Sequence, residues 1–247
     1  AFLSRREITR LADIVDYVPS PATQIFSQST SGQPVPLSRM GRGALLIRVE
    51  KEGHQITLIT AHLKSKLLSF KTTSGKSSFT PRDENQRAEE AGIALHKRTA
   101  EAVTLRQQIN ALIEDRSNTP LILLGDLNDV PSAQTSLLLL GPPGSELGTL
   151  GFNRPDQGDD TRLFNLADLI PEEHRYSRIH HGRAELLDQI LVSEELFPRN
   201  EDGDRILPTA DSLLDYTDHI PSVTDNPNVR KDEVPPDHAP VVARFKL

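Results

Sequence analysis

Cysteine is absent from this sequence. Disulfides, thiolate metal sites and a cysteine nucleophile are therefore excluded, although cysteine-free proteins occur on both sides of a membrane, so the compartment stays open. Tryptophan is absent too, and aromatic residues make up 4%, which argues against a base-stacking platform for single strands. No run approaches the ~18 consecutive apolar residues of a membrane span. The longest, at 121–124 and 137–140, are strand length or shorter. No amino-terminal signal is visible, because Arg5, Arg6 and Glu7 interrupt the first apolar residues, and a signal removed before residue 1 would leave no trace. What is present is an ordinary composition, 247 residues with 36% hydrophobic and 26% charged. That is ample chain to bury a core and too apolar for wholesale disorder.

The net charge of −7 is unevenly spread. Between His62 and Arg82 stand Lys64, Lys66, Lys71, Lys76 and Arg82 with no acidic residue, whereas residues 201–237 are strongly acidic. An acidic protein can thus present a basic patch to phosphates. Strands are predicted at 2–8, 43–49, 55–61, 121–125, 187–193 and 240–245. The second and third are joined by Glu50-Lys51-Glu52-Gly53-His54 and read as a hairpin. One long helix is predicted over 83–114, with Ala91, Leu95, Ala102, Leu105, Ile109 and Leu112 on one apolar face and an irregularity expected near Gly92. Residues 69–81, 141–160 and 198–236 read as loops, and long loops in a compact domain are usually functional or mobile. No repeat and no break in composition marks a second domain. Strands without regularly interposed helices predict an α/β class with mainly antiparallel or mixed sheets.

Four strings put ionisable or amide side chains at the end of an apolar strand. In Thr60-Ala61-His62-Leu63-Lys64-Ser65-Lys66, alternation sends Thr60, His62 and Lys64 to one face. An imidazole among ammonium groups suits a phosphate oxygen, and a solvated strand end is the plainer alternative. In Leu121-Ile122-Leu123-Leu124-Gly125-Asp126-Leu127-Asn128 a buried strand runs into glycine, and Asp126 and Asn128 can face one side to orient water. A turn built on Asp and Asn is the plainer alternative. Asp188 opens the apolar run that ends at Ser193, where a simple cap would also serve. Asp237-His238 precedes Ala239-Pro240-Val241-Val242 as a loop pair, or as a metal carboxylate beside a histidine base. His180-His181 is expected in an exposed loop at the cleft rim. Asp218-His219 lacks a following strand, His54 and His96 are expected to be solvated, and Arg98 and Arg106 are expected on the helix surface or ion-paired.

Taken together and in this order, the four strings resemble the endonuclease/exonuclease/phosphatase superfamily, the DNase I-like group. The resemblance runs from about Phe2 to the carboxyl end, and the strings at His62 and at 176–193 look most like bacterial, often secreted, nuclease-like members. It implies one domain over 1–247, a two-sheet, four-layer α/β sandwich with outer helices. It implies that His62 contacts the scissile phosphate, that Asp126 orients or deprotonates water and that Asn128 steadies the phosphate. Asp188 would partner His238 at the phosphate, and Asp237 would stand on the metal side. The implied reaction is divalent-metal-dependent phosphodiester hydrolysis by an activated water, with Mg²⁺ expected and Mn²⁺ or Ca²⁺ as alternatives. Nucleic acid is the expected substrate, with Lys64, Lys66 and Lys71 contributing phosphate contacts. A lipid headgroup or inositol phosphate is the alternative, although no exposed aromatic or apolar hairpin for a bilayer is evident. No protein partner is evident, a monomer is expected, and the resemblance suggests a secreted or periplasmic location. One departure stands out. The family's Asn strand and its Gln-Glu string, whose glutamate binds metal, have no counterpart, since no Gln-Glu pair occurs. The sequence is therefore expected to start inside the domain, and a binding domain that has lost its metal is a third reading.

Overall fold

The structure is a computed structural model describing residues 2–28, 33–72, 74–115, 120–154, 157–180, 182–213 and 238–246. Strand β1 (Ile8–Asp16) is followed by a small antiparallel ribbon, β2 (Ile25–Gln28) with β3 (Pro34–Leu37). Strands β4 (Arg39–Lys51) and β5 (His54–His62) form the predicted hairpin. Its two turn residues, Glu52 and Gly53, have φ of 54° and 83°, the left-handed pair whose twist matches that of the flanking strands. Next come a two-rung ribbon, β6 (Phe70–Lys71) with β7 (Ser77–Ser78), and the long helix α1 (Glu84–Asp115). Then follow β8 (Leu121–Asp126), α2 (Gln134–Leu140), β9 (Phe164–Asn165), β10 (Arg178–His180), β11 (Arg183–Glu185), β12 (Asp188–Val192), β13 (Thr209–Ser212) and β14 (Val241–Arg244).

Six strands make one mixed sheet in the order β1-β4-β5-β8-β12-β9. Only β5 and β8 run parallel, because α1 carries the chain back across the sheet between them. On one face Leu46, Ile59, Leu123 and Leu191 pack against Ala102, Leu105 and Ile109 of α1. On the other, Ile56, Ile122 and Val192 meet the edge-to-face rings of Phe152, Phe164 and Phe197, together with Ala210 of β13 and Val241 of β14. The described residues therefore stack as helices, a large mixed sheet and the small β13–β14 sheet. Among them no outer helix covers the second sheet, and none is long and apolar enough to cross a membrane.

Two expectations need correction. The first strand forms at Ile8–Asp16, not at 2–8, because its ladder on β4 begins only where Ile8 pairs with Val49. Helix α1 runs unbroken through Gly92, and its apolar stripe is confined to the second half. Leu95 is 53% exposed, while Ala94, Arg98 and Glu101 take the buried positions.

The register brings three strand ends to one place. His62, at the end of β5, pairs with Asp126, at the end of β8, and Asp126 pairs on its other side with Asp188, the first residue of β12. Gly125 makes the approach possible. Its φ is +137°, and a Cβ there would lie 2.0 Å from the Ala61 carbonyl oxygen.

Candidate active site

The β8 end is built on Asp126. Its Oδ2 lies 3.2 Å from His62 Nε2 and accepts from Asn128 Nδ2 at 3.2 Å, while Oδ1 accepts from the Asn128 backbone N–H at 2.9 Å. Asn128 has φ of +53°, a left-handed conformation that asparagine tolerates better than most residues. Its Nδ2 also donates to the Leu63 carbonyl at 2.9 Å, so its two amide hydrogens tie the β5 exit to the β8 exit. Burial pushes the Asp126 carboxyl up, but His62, the Asn128 N–H and the charge of His238 more than offset it, and the group is held below its ordinary value.

Across the register pair, Asp188 Oδ2 lies 2.6 Å from His238 Nδ1. An ionised carboxylate only accepts, so this geometry places the hydrogen on Nδ1. Ser177, fully buried, holds the pair from behind. Its Oγ accepts from the backbone N–H groups of Leu187 and Asp188, each at 3.1 Å, and its carbonyl accepts from Ala239 N at 2.7 Å. Sequence reasoning missed Ser177, because its role depends on three segments far apart in the chain.

A second missed set lies below the site. Arg98 on α1 is buried and donates to Asp129 Oδ2 at 3.1 Å and to the Lys64 carbonyl at 3.1 Å. Asp129 also accepts from Thr135 Oγ1 at 2.8 Å, and its carbonyl accepts from Gln189 Nε2 at 2.6 Å. One turn further along α1, buried Glu101 accepts from the backbone N–H groups of Gly41 and Lys64. Of the two placements expected for Arg98, surface or ion-paired, the second holds, as a buried pair with Asp129. Arg106 donates to the carbonyls of Leu139, Leu140 and Thr161.

A cleft of about 780 Å³ opens over the strand ends, lined by His62, Asp126, Asn128, Asp188 and His238. Five of the predicted site residues are therefore brought together. Asp237 lies outside the described residues, as do His181, Asp218 and His219. The expected lysines fare differently. Lys64 gives its Nζ to the carbonyls of Ser65 and Leu67, and burial followed by Lys97 depresses its pKa. Lys66 lines the cleft but is paired with Asp129 at 3.0 Å and Glu185 at 3.6 Å. Lys71 is exposed on β6. Arg42 of β4 and Arg178 and His180 of β10 line the same cleft and were not anticipated as contacts; only the register places them there. His180 does lie at the expected rim, on a strand instead of a loop.

Among the described residues no group of three or more His, Asp or Glu forms a metal cluster. Both Asp126 oxygens and the Asp188 Oδ2 already hold His62, Asn128 and His238. By themselves these residues do not fit an ion site.

The sequence matches no protein-family model and no curated protein. Solved structures similar to the chain include an endonuclease/exonuclease/phosphatase family protein from Bacteroides thetaiotaomicron. It has a TM-score of 0.42 and 13% identity, with 96% of this chain and 66% of that chain covered. A protein of the same family from Leptotrichia buccalis has a TM-score of 0.39 and 13% identity, covering 83% and 54%. The human Nocturnin catalytic domain has a TM-score of 0.37 and 14% identity, covering 80% and 52%. The chain spans about half the length of the last two. These neighbours include members of the superfamily that the motif order resembles.

Proposed function

We propose that this chain carries the catalytic strand ends of a DNase I-like phosphodiester hydrolase, with nucleic acid as substrate and water as nucleophile. The observation that carries the reading is the convergence of His62, Asp126 and Asp188–His238 on three adjacent strands, with Asp126 in register with both neighbours. Phosphodiester hydrolysis needs the phosphate charge neutralised, a water held in line and the leaving oxygen protonated. The two imidazoles address the first and the last. His238 has its Nδ1–H anchored on Asp188, which stabilises the imidazolium and fixes the ring plane. Asp126, kept ionised, accepts a hydrogen bond from the attacking water. Asn128 spends both amide hydrogens inside the protein, so it acts by fixing Asp126 and not by gripping the phosphate. Arg42 and Arg178 supply positive charge along the cleft.

Dependence on a divalent ion, Mg²⁺ first, is part of the proposal, with Asp237, which lies outside the described residues, as the expected carboxylate. A secreted or periplasmic location also remains a proposal. Phospholipid headgroup hydrolysis is the competing activity, favoured by Leu67 and Phe79, 64% and 75% exposed; both line the cleft.

The test is turnover of plasmid DNA, RNA, a phosphodiester dye and phospholipid vesicles with Mg²⁺, Mn²⁺ or Ca²⁺. Nucleic acid hydrolysis that falls at least ~10²-fold in His238→Ala and in Asp126→Ala, with unchanged folding, is the expected result. Near-normal rates in either variant remove that residue from the mechanism, and turnover confined to vesicles overturns the choice of substrate.

A further inference from the structure

The lining of the cleft includes apolar residues that the hydrolytic chemistry does not use. Phe79 follows β7 directly and lies beside Pro81 and Leu67 in the lining. Its ring is 75% exposed, an unusual state for phenylalanine in a concave site. The backbone around it is held in place, for Ser78 Oγ donates to the Thr80 carbonyl and accepts from Thr80 N, and Phe70 of the partner strand is buried as the ribbon's anchor. Aromatic residues are scarce in this sequence, which argued against stacking on bases; one ring at the wall of a phosphate cleft nevertheless suffices for one base.

Resting on the hydrolase reading above, we infer that Phe79 is the stacking face for an unpaired nucleobase attached to the phosphate that His62 and His238 bind. Phe79, His62 and His238 line the same cleft. A base inside a duplex has both faces covered by its neighbours and cannot offer one to a side chain. A single-stranded or splayed-out nucleotide can, and stacking tolerates any base because all have a π-face. The surroundings favour this occupant over a bilayer. The turn of the β6–β7 ribbon carries Thr72, Ser74 and Lys76, polar residues that do not suit insertion into a bilayer. Phe79 lines the cleft, and the stretch from His62 to Arg82 that carries it holds no acidic residue.

Binding in EDTA separates this inference from catalysis. Fluorescence anisotropy would compare a labelled oligothymidylate of about 15 nucleotides, an abasic oligomer of the same length and a duplex, each against the intact chain, Phe79→Ala and Phe79→Tyr. The chain should bind the oligothymidylate more tightly than the abasic oligomer or the duplex. Phe79→Ala should weaken oligothymidylate binding by about tenfold and abolish most of its advantage over the abasic oligomer, and Phe79→Tyr should keep it. Equal losses on the oligothymidylate and the abasic oligomer would overturn the stacking role while leaving the hydrolase reading intact. Binding of none of the three would overturn the stacking inference, and the hydrolase reading falls separately if the turnover test above shows no nucleic acid hydrolysis with any of the three ions. Binding to phosphatidylcholine vesicles that disappears in Phe79→Ala, with oligomer binding unchanged, would assign the ring to a bilayer and overturn the inference.

Discussion

Replacing Gly125 by alanine puts a methyl carbon 2.0 Å from the Ala61 carbonyl oxygen, 3.1 Å from its carbonyl carbon and 3.3 Å from its nitrogen. All three are backbone atoms, so no side chain can rotate away. The tightest tolerable contact is about 3.0 Å, and β5 and β8 must part by roughly an ångström where they run parallel. The backbone adds its own cost, because φ of +137° is territory that L-residues rarely enter. Strain at such a position costs about 1–3 kcal/mol and forced displacement of a packed element a further ~1–3 kcal/mol. The sum, about 2–6 kcal/mol, lowers Tm by ~4–24 °C in a chain of this size. The displaced rung adjoins the His62–Asp126 pair, so turnover should fall by ~10², the penalty for an ångström of misplacement. Gly92 is the control. Nothing lies within 4 Å of a Cβ there, and Gly92→Ala within α1 should raise stability by about 0.5–1 kcal/mol. Thermal melts and turnover on the three proteins decide the matter. A Gly125→Ala protein that melts with the parent and retains full activity would refute the register on which the site is built.

Three further outcomes are expected. Asp126 and Asp129 are both held below the ordinary carboxylate value when folded; their ionised forms therefore contribute stability above about pH 4, and that contribution is lost as pH falls through the folded-state values. Acid unfolding should accordingly be shallower in Asp126→Asn, and superimposable acid curves would contradict the assignment. Ser177→Ala leaves the buried N–H groups of Leu187 and Asp188 without their acceptor; urea melts should show a loss of about 1–3 kcal/mol per group, with lower turnover as Asp188 loses its anchor. Arg42→Ala and Arg178→Ala should each reduce the salt slope of nucleic acid binding by about one unit, whereas Lys64→Ala should not, since its ammonium is held by two carbonyls; a reduced slope in Lys64→Ala would show that the lysine reaches substrate.

The strand ends were legible because each joins two local signals, a buried aliphatic run and an ionisable residue directly beside it. Leu121 to Leu124 announce β8, and Gly125-Asp126 announces that its end does something other than turn. Strand β1 carried no such signal. As an edge strand it is exposed at most positions and bears Arg10 and Asp13, so alternation is lost and the ladder to β4 alone defines it. Arg42 and Arg178 were invisible for a related reason, since neither adjoins a motif and only the strand order places both at the cleft. The basic run at 64–82 is visible in the sequence as a charge pattern, but the partners of Lys64 and Lys66 are not. A lysine's role depends on the nearest acceptor, and for Lys64 and Lys66 those acceptors come from folding.

Helix α1 explains why its apolar pattern failed in the first half. Arg98 and Glu101 occupy buried positions where leucine would fill the space, and between them they hold Gly41 at the start of β4, the Lys64 backbone beyond β5 and Asp129 beyond β8. Burial pushes the Glu101 carboxyl up, so the arrangement is not the cheapest way to close the core. Buried ionic groups often contribute no more stability than well-packed apolar ones. What an apolar residue cannot do is fix the direction of a backbone N–H or carbonyl. The three segments hung on this turn of the helix carry Arg42, His62 together with the cleft cation Lys66, and Asn128, and under the proposed hydrolysis their positions relative to Asp126 would have to hold within a fraction of an ångström. A polar stretch on the buried face of an otherwise amphipathic helix, lying directly beneath a cluster of strand-end side chains, is thus itself a sign that the strand ends form a positioned site.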